Sequence, residues 1–218
     1  LMREYYAAHP QVQAVTGFIG STASGLTTTL GRGGSDYTAA LLGAALDAEV
    51  IEIWTDVDGV LTADPRRVKK AFTLPTMTYR EAMEMSHFGA KVIYPPTIQP
   101  ALAKNIPLAI RNTFNPEFPG TWISRKSDDA GHPVKGISSI NQICLLTVQG
   151  SGLFGVPGIA ARLFGALAQA GVNIVLITQG SSETSITFAV SPDQADNAKK
   201  AVEKEFAYEL RAGLVDTL

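Results

Sequence analysis

A short, mostly apolar strand, Val50 to Trp54, sits between a helical stretch and an acidic loop, and this alternation most restricts what the chain can fold into. Ahead of it Leu41, Leu42, Ala45 and Leu46 recur at helical spacing, with Ser35 placed as N-cap. After it, Thr78 and Glu81 stand at capping-box spacing and open a helix running toward Phe88. Another helix is read after Pro96 and a strand over Ile106 to Ile110. Upstream, Val12 to Phe18 reads as a strand, continued over Thr27 to Leu30 after a polar turn at residues 21–25. Strands alternating with helices favour a layered α/β fold.

The composition changes near Asn115, where prolines, glycines and the stretch Ser127-Asp128-Asp129-Ala130-Gly131 read as a linker. Two domains are expected, 1–125 and 126–218. In the second, Ile143 to Val148 is a strand, and Ile159, Leu163, Phe164 and Leu167 mark a helix stopped by Gly171. Val172 to Thr178 and the alternating Ile186, Phe188 and Val190 give two more strands. A last helix follows Ser191-Pro192, turning Ala195, Ala198, Val202 and Phe206 inward. The order β-α-β-β-α is ferredoxin-like without its final strand, which leaves a sheet edge to be covered. Val134 to Ser138 reads as an extra strand before this unit.

Composition narrows the function classes. Of 218 residues, 45% are hydrophobic and 17% charged, so a core is affordable and disorder is not expected. A net charge of −2 without a basic run argues against nucleic-acid binding. Cys144 alone excludes a disulfide framework and fits a reducing compartment. Without a run near the ~20 apolar residues of a membrane span, the expectation is a cytoplasmic protein with no membrane partner. His9, His87 and His132 lie far apart and lack metal-ligand spacing, so no metal site is assigned.

Gly31-Arg32-Gly33-Gly34-Ser35-Asp36 lies between a strand and a helix start. Unpaired N–H groups and the helix dipole suit an anion there; Arg32 can grip a carboxylate or phosphate, and Asp36 an ammonium group. The alternative is a plain tight turn. Thr55-Asp56-Val57-Asp58-Gly59 supports two chemistries. An apolar strand followed by Asp-x-Asp-Gly resembles haloacid-dehalogenase-type phosphatases, with Asp56 as nucleophile, Asp58 as general acid and Thr113 in the second motif. No Gly-Asp-x-x-x-Asp element follows, however, and an EF-hand fails on its glycine position. Alternatively, Thr55 to Arg66 is one nucleotide-binding loop at a strand end.

Taken together, Gly31 to Asp36, Trp54 to Val60, Asp64-Pro65-Arg66, and Phe88-Gly89-Ala90-Lys91-Val92 with Pro95 resemble the aspartokinase motif series in order and spacing. The resemblance implies the back part of a three-layer α/β/α amino-acid-kinase domain that phosphorylates the β-carboxylate of L-aspartate from ATP with Mg2+, opening lysine, threonine and methionine biosynthesis. It implies that Arg32, Gly33, Gly34 and Ser35 contact aspartate, and that Asp36 organises the catalytic centre. Thr55, Asp56, Leu61 and Arg66 would hold the nucleotide, and Lys91 would neutralise charge in transfer. Leu61 stands where many relatives carry tyrosine. The family's Lys-x-Gly-Gly motif is absent from this sequence, whose first lysine is Lys69, so the chain by itself is expected not to phosphorylate aspartate.

The second half resembles the ACT domain attached to such kinases, a ferredoxin-like βαββα unit that binds an amino acid. This implies an effector site at Gly152, Asn173 and Gln179, and pairing of ACT units in a homodimer. Val175 stands where lysine-sensing relatives carry an acidic residue. That difference, the Val175 to Gln179 run and the Ser181-Ser182-Glu183 turn favour threonine over lysine, as in the aspartokinase–homoserine dehydrogenase type. A pure effector-binding protein is the remaining alternative.

Overall fold

The computed structural model describes residues 2–87, 93–127, 134–180 and 184–216. They form two compact units, Leu1–Ser139 and Ile140–Leu218, each α/β in character as the sequence implies.

In the first unit a helix α1 (Met2–Ala8) precedes a short hairpin, β1 (Ile19–Ser21) against β2 (Thr27–Thr29). The strand expected over 12–18 does not form; those residues are largely exposed without strand structure, and the hairpin lies beyond them. Helix α2 (Gly34–Leu46) is capped by Gly33, not Ser35, and it buries Gly34, Ala40 and Gly43. Leu41, expected inward, is 40% exposed. Small residues win this face because they admit close packing: a Cβ on Gly43 would lie 2.6 Å from Ile51 Cγ1.

Next come β3 (Ile51–Thr55), β4 (Thr76–Thr78), α3 (Tyr79–His87), α4 (Pro95–Lys104), β5 (Leu108–Asn112) and β6 (Thr121–Ser124). The strands make one mixed sheet in the order β3-β5-β6-β4, with β3 parallel to β5 and β5 antiparallel to β6. Ile51, Ile53, Leu108, Ile110, Met77 and Ile123 share a core with Ala40, Ile98 and Ala101 of the helices. The capping box forms as read: Thr78 N–H donates to Glu81 Oε2 at 2.7 Å, and Glu81 N–H to Thr78 Oγ1 at 3.2 Å. Val134 to Ser138 is not a strand. Ile137 N–H donates to the Thr62 carbonyl at 2.8 Å, and Lys135 pairs with Glu81 at 3.2 Å.

The second unit holds β7 (Cys144–Gln149), α5 (Ile159–Gln169), β8 (Leu176–Gln179), β9 (Ser185–Val190), α6 (Ala195–Glu205) and α7 (Ala207–Arg211). The sheet is antiparallel in the order β7-β9-β8, the expected ferredoxin-like pattern. Leu146, Val148, Ile186, Phe188 and Val190 pack on Leu163, Leu167, Val202 and Phe206. The edge expected to be bare is met in part by the chain's own end. Gly152 N–H donates to the Leu214 carbonyl at 2.9 Å, and Asp216 N–H to that of Gln149 at 2.7 Å.

Candidate functional site

The Gly31–Asp36 turn owes its shape to backbone that side chains disfavour. Gly31 and Gly33 hold φ of 75° and 72°, and Gly34 N–H closes the turn on the Gly31 carbonyl at 3.0 Å. A Cβ on Gly33 would lie 2.4 Å from that of Tyr94, so glycine also lets α4's lead-in press against the turn. Arg32 and Ser35 are exposed, while Asp36 sits half-buried in the first turn of α2. Burial raises the Asp36 carboxyl above its ordinary value. An accessible guanidinium, exposed turn backbone and a helix start together suit a small carboxylate ligand.

Helix α2 folds back onto β3, with Gly43 against Ile51 at the strand's start. Thr55 closes β3 at its other, carboxyl end, and Asp56 follows it. Thr55 Oγ1 donates to Asp56 Oδ1 at 3.2 Å, and Asp56 is exposed. Leu61 is half-buried and forms a bridge with Thr73, which places it in the wall of the loop. Arg66 is 82% exposed in its side chain and held by Asp64 through two contacts, 3.1 and 3.0 Å. That hydrogen bonding, foremost from the Arg66 side chain, lowers the Asp64 carboxyl. The guanidinium is thus oriented yet open to a phosphate. Lys91, and the Phe88–Val92 motif around it, lie outside the described residues.

Asp58 behaves differently from Asp56. Its Oδ1 accepts from Asn112 Nδ2 at 2.8 Å and Asn115 Nδ2 at 3.1 Å. An acceptor held by two amides is the reverse of the proton donor that a phosphatase would need at that position. Thr113 N–H meanwhile donates to the Thr55 carbonyl at 2.9 Å. Neither asparagine stood out in the sequence, because only the in-register pairing of Thr55 with Asn112 brings them to the loop. Among the described residues no cluster of three or more His, Cys, Asp or Glu could hold a metal.

In the second unit a cavity of about 340 Å³ is lined by Leu153, the Gly155–Ala160 turn and helix start, Gln179 and Ile186. Gly158 gives α5 no side-chain cap, so the helix start faces the cavity with backbone donors. Of the three effector residues read from the sequence, Gln179 lines this cavity. Gly152 spends its N–H on Leu214. Asn173 is exposed and donates its N–H to Gln194 Oε1 at 3.2 Å. The Ser181–Glu183 turn lies outside the described residues. The sequence points to a glycine-rich turn over Gly150 to Gly155 but not to Gly158; Gly155 and Gly158 hold positive φ of 65° and 90° and shape the turn.

Residues 1–112 match the amino acid kinase family and residues 146–206 the ACT domain. The chain is 50% identical over 203 residues to a bifunctional aspartokinase/homoserine dehydrogenase of Haemophilus influenzae, covering 93% of this chain and 25% of that protein. It is 44% identical to a chloroplastic counterpart in Arabidopsis thaliana, over 96% and 24%. The chain therefore spans about a quarter of these curated relatives. Among solved structures, Escherichia coli aspartokinase III with aspartate and ADP superposes with a TM-score of 0.69 at 39% identity, over 80% of this chain and 38% of that one. The same enzyme with lysine and aspartate gives 0.62 at 36%, over 92% and 44%.

Proposed function

Because the chain belongs to the amino acid kinase family and joins that fold to an ACT unit, we propose that it is the substrate- and nucleotide-loop portion of an aspartokinase under amino-acid control. The observation that carries this reading is the pair of open loops: the glycine turn that leaves Arg32 exposed and the loop after β3 that leaves Asp56 and Arg66 exposed. In this reading Arg32 and the turn N–H groups hold L-aspartate. Asp36 orients its ammonium group. Thr55, Asp56, Leu61 and Arg66 hold ATP, and Lys91 neutralises charge as the terminal phosphoryl passes to the β-carboxylate, giving 4-phospho-L-aspartate. Positioning and charge stabilisation do most of the work in such a transfer. Magnesium would enter with the nucleotide and neutralise phosphate charge, and exposed Asp56 is the carboxylate that would help hold it.

Titration with L-aspartate and with Mg·ATP tests this directly. Both bind the parent chain, Arg32→Ala loses aspartate alone, and Arg66→Ala weakens the nucleotide. Retention of aspartate by Arg32→Ala overturns the assignment. The chain by itself is inactive in a coupled kinase assay, since it holds no Lys-x-Gly-Gly segment; substantial turnover would refute that.

The cavity beside Gln179 is the proposed effector site, and threonine its ligand. Among the described residues, Gln179 is the side-chain amide that lines it, and no described acidic side chain lines it to pair a lysine ammonium. Calorimetric heat for threonine, removed by Gln179→Ala, is expected; heat for lysine alone would reverse the assignment. The outer edge of β8, unpaired among the described residues, supports a homodimer through ACT units, to be read by sedimentation. No described helix is long and apolar enough to cross a membrane; a cytoplasmic location is part of the proposal.

A further inference from the structure

We infer that Asn112 and Asn115 are positioning residues for the nucleotide loop, acting through Asp58. The inference rests on the nucleotide reading above and adds the device that holds the loop in shape.

The two asparagines come from the end of β5 and the turn after it, while Asp58 belongs to the loop after β3. Both carboxamides reach the same carboxylate oxygen, at 2.8 and 3.1 Å. Asn112 is buried, and its Oδ1 accepts from Phe114 N–H at 2.9 Å. That bond fixes which way the amide is turned and aims the NH2 group at Asp58. Just beyond, Gly59 holds φ of 118° against Thr121, whose hydroxyl accepts from Val60 N–H at 2.8 Å and donates to the Leu74 carbonyl at 2.6 Å. The loop is therefore fastened at Asp58 and again at Val60, with Asp56 left exposed.

Hydrogen bonds to a charged acceptor are among the stronger ones. A loop already in its binding shape loses less freedom when the nucleotide arrives.

The test is Mg·ATP and L-aspartate titration of the parent chain and three variants. Asn112→Asp faces Asp58 with a second carboxylate and is expected to weaken Mg·ATP about tenfold, the loss of one charge-assisted bond. Asn115→Ala, at an exposed position, weakens it about threefold, by the same argument for a longer bond. The exchange Asp58→Asn with Asn112→Asp rebuilds the bond with donor and acceptor reversed, and restores affinity to within about twofold of the parent. Aspartate affinity stays unaltered throughout. A parent chain that binds no Mg·ATP overturns the nucleotide reading, and this inference falls with it. Nucleotide binding that survives Asn112→Asp and Asn115→Ala unchanged overturns the inference alone. So does loss of aspartate and nucleotide together in both variants, or failure of the exchange to rescue.

Discussion

Asp36 shows how a single side chain trades stability for a site. Its carboxyl is raised by burial, so the folded chain binds that proton more tightly than the unfolded one. The group thus stabilises the fold below its unfolded pKa, and that contribution is lost as pH rises through the higher folded value. Replacing it by asparagine removes the dependence. Stability of Asp36→Asn relative to the parent is expected to rise with pH, from below the ordinary carboxylate value to above the raised folded one; urea unfolding at several pH values reads this, and a flat difference contradicts it. Gly33 makes the complementary case. With φ of 72° and Tyr94 against its face, Gly33→Ala costs at least about 1 kcal/mol from backbone alone. Adding Tyr94→Gly removes the Cβ that stands 2.4 Å away, which relieves the steric part and leaves the backbone part, and a double-mutant cycle separates the two. The sequence showed the glycines and their motif, but not that a tyrosine far along the chain is what presses on them.

At the level of elements, legibility followed the length and periodicity of the pattern. The capping box at Thr78 and Glu81 was readable because both partners are local. Burial pushes the Glu81 carboxyl up, but bonds from Thr78 and Lys135 outweigh it and leave it lowered. Thr78→Ala is expected to cost about 1 kcal/mol, measured as a shift in the unfolding midpoint. β4 and β6 escaped notice because three and four residues carry too little periodicity to separate from loop. The buried face of α2 was misread for another reason: Gly34, Ala40 and Gly43 score low in hydrophobicity yet bury best where a helix lies close to a strand. In the second unit Arg162 of α5 bonds Glu205 at 2.8 Å and Glu209 at 2.6 Å, with its guanidinium 4.7 Å from the centre of the Phe206 ring. The Arg162 bond is the chief cause of a lowered Glu209 carboxyl. That stabilisation is present above the unfolded carboxylate value and lost as pH falls through the folded one. Arg162→Ala should therefore cost about 1 kcal/mol near neutrality, since solvent screens a partly exposed pair, with the gap closing in acid; a gap that persists there would place the role in packing.

For the whole molecule, the two compact units carry separate cores. One gathers Ile53, Ile98, Leu108 and Ile110; the other gathers Val148, Leu163, Phe188 and Val202. Each core closes on residues of its own unit, so cooperativity is expected to stop at the unit boundary. The linker's composition was visible in the sequence, but the place of 134–139 was not. That segment belongs with the first unit through Ile137 on Thr62 and Lys135 on Glu81, contacts between residues far apart in the chain. Calorimetry tests the division. Leu163, fully buried, loses about 2–5 kcal/mol on truncation to alanine, and only one of two transitions should fall. Ile110→Ala, at an equally buried position, should lower the other and leave the first in place. Under the proposed effector assignment, threonine should raise the transition that Leu163→Ala lowers, because a ligand stabilises the unit it binds. A single transition that moves with both substitutions would mean that the units fold as one.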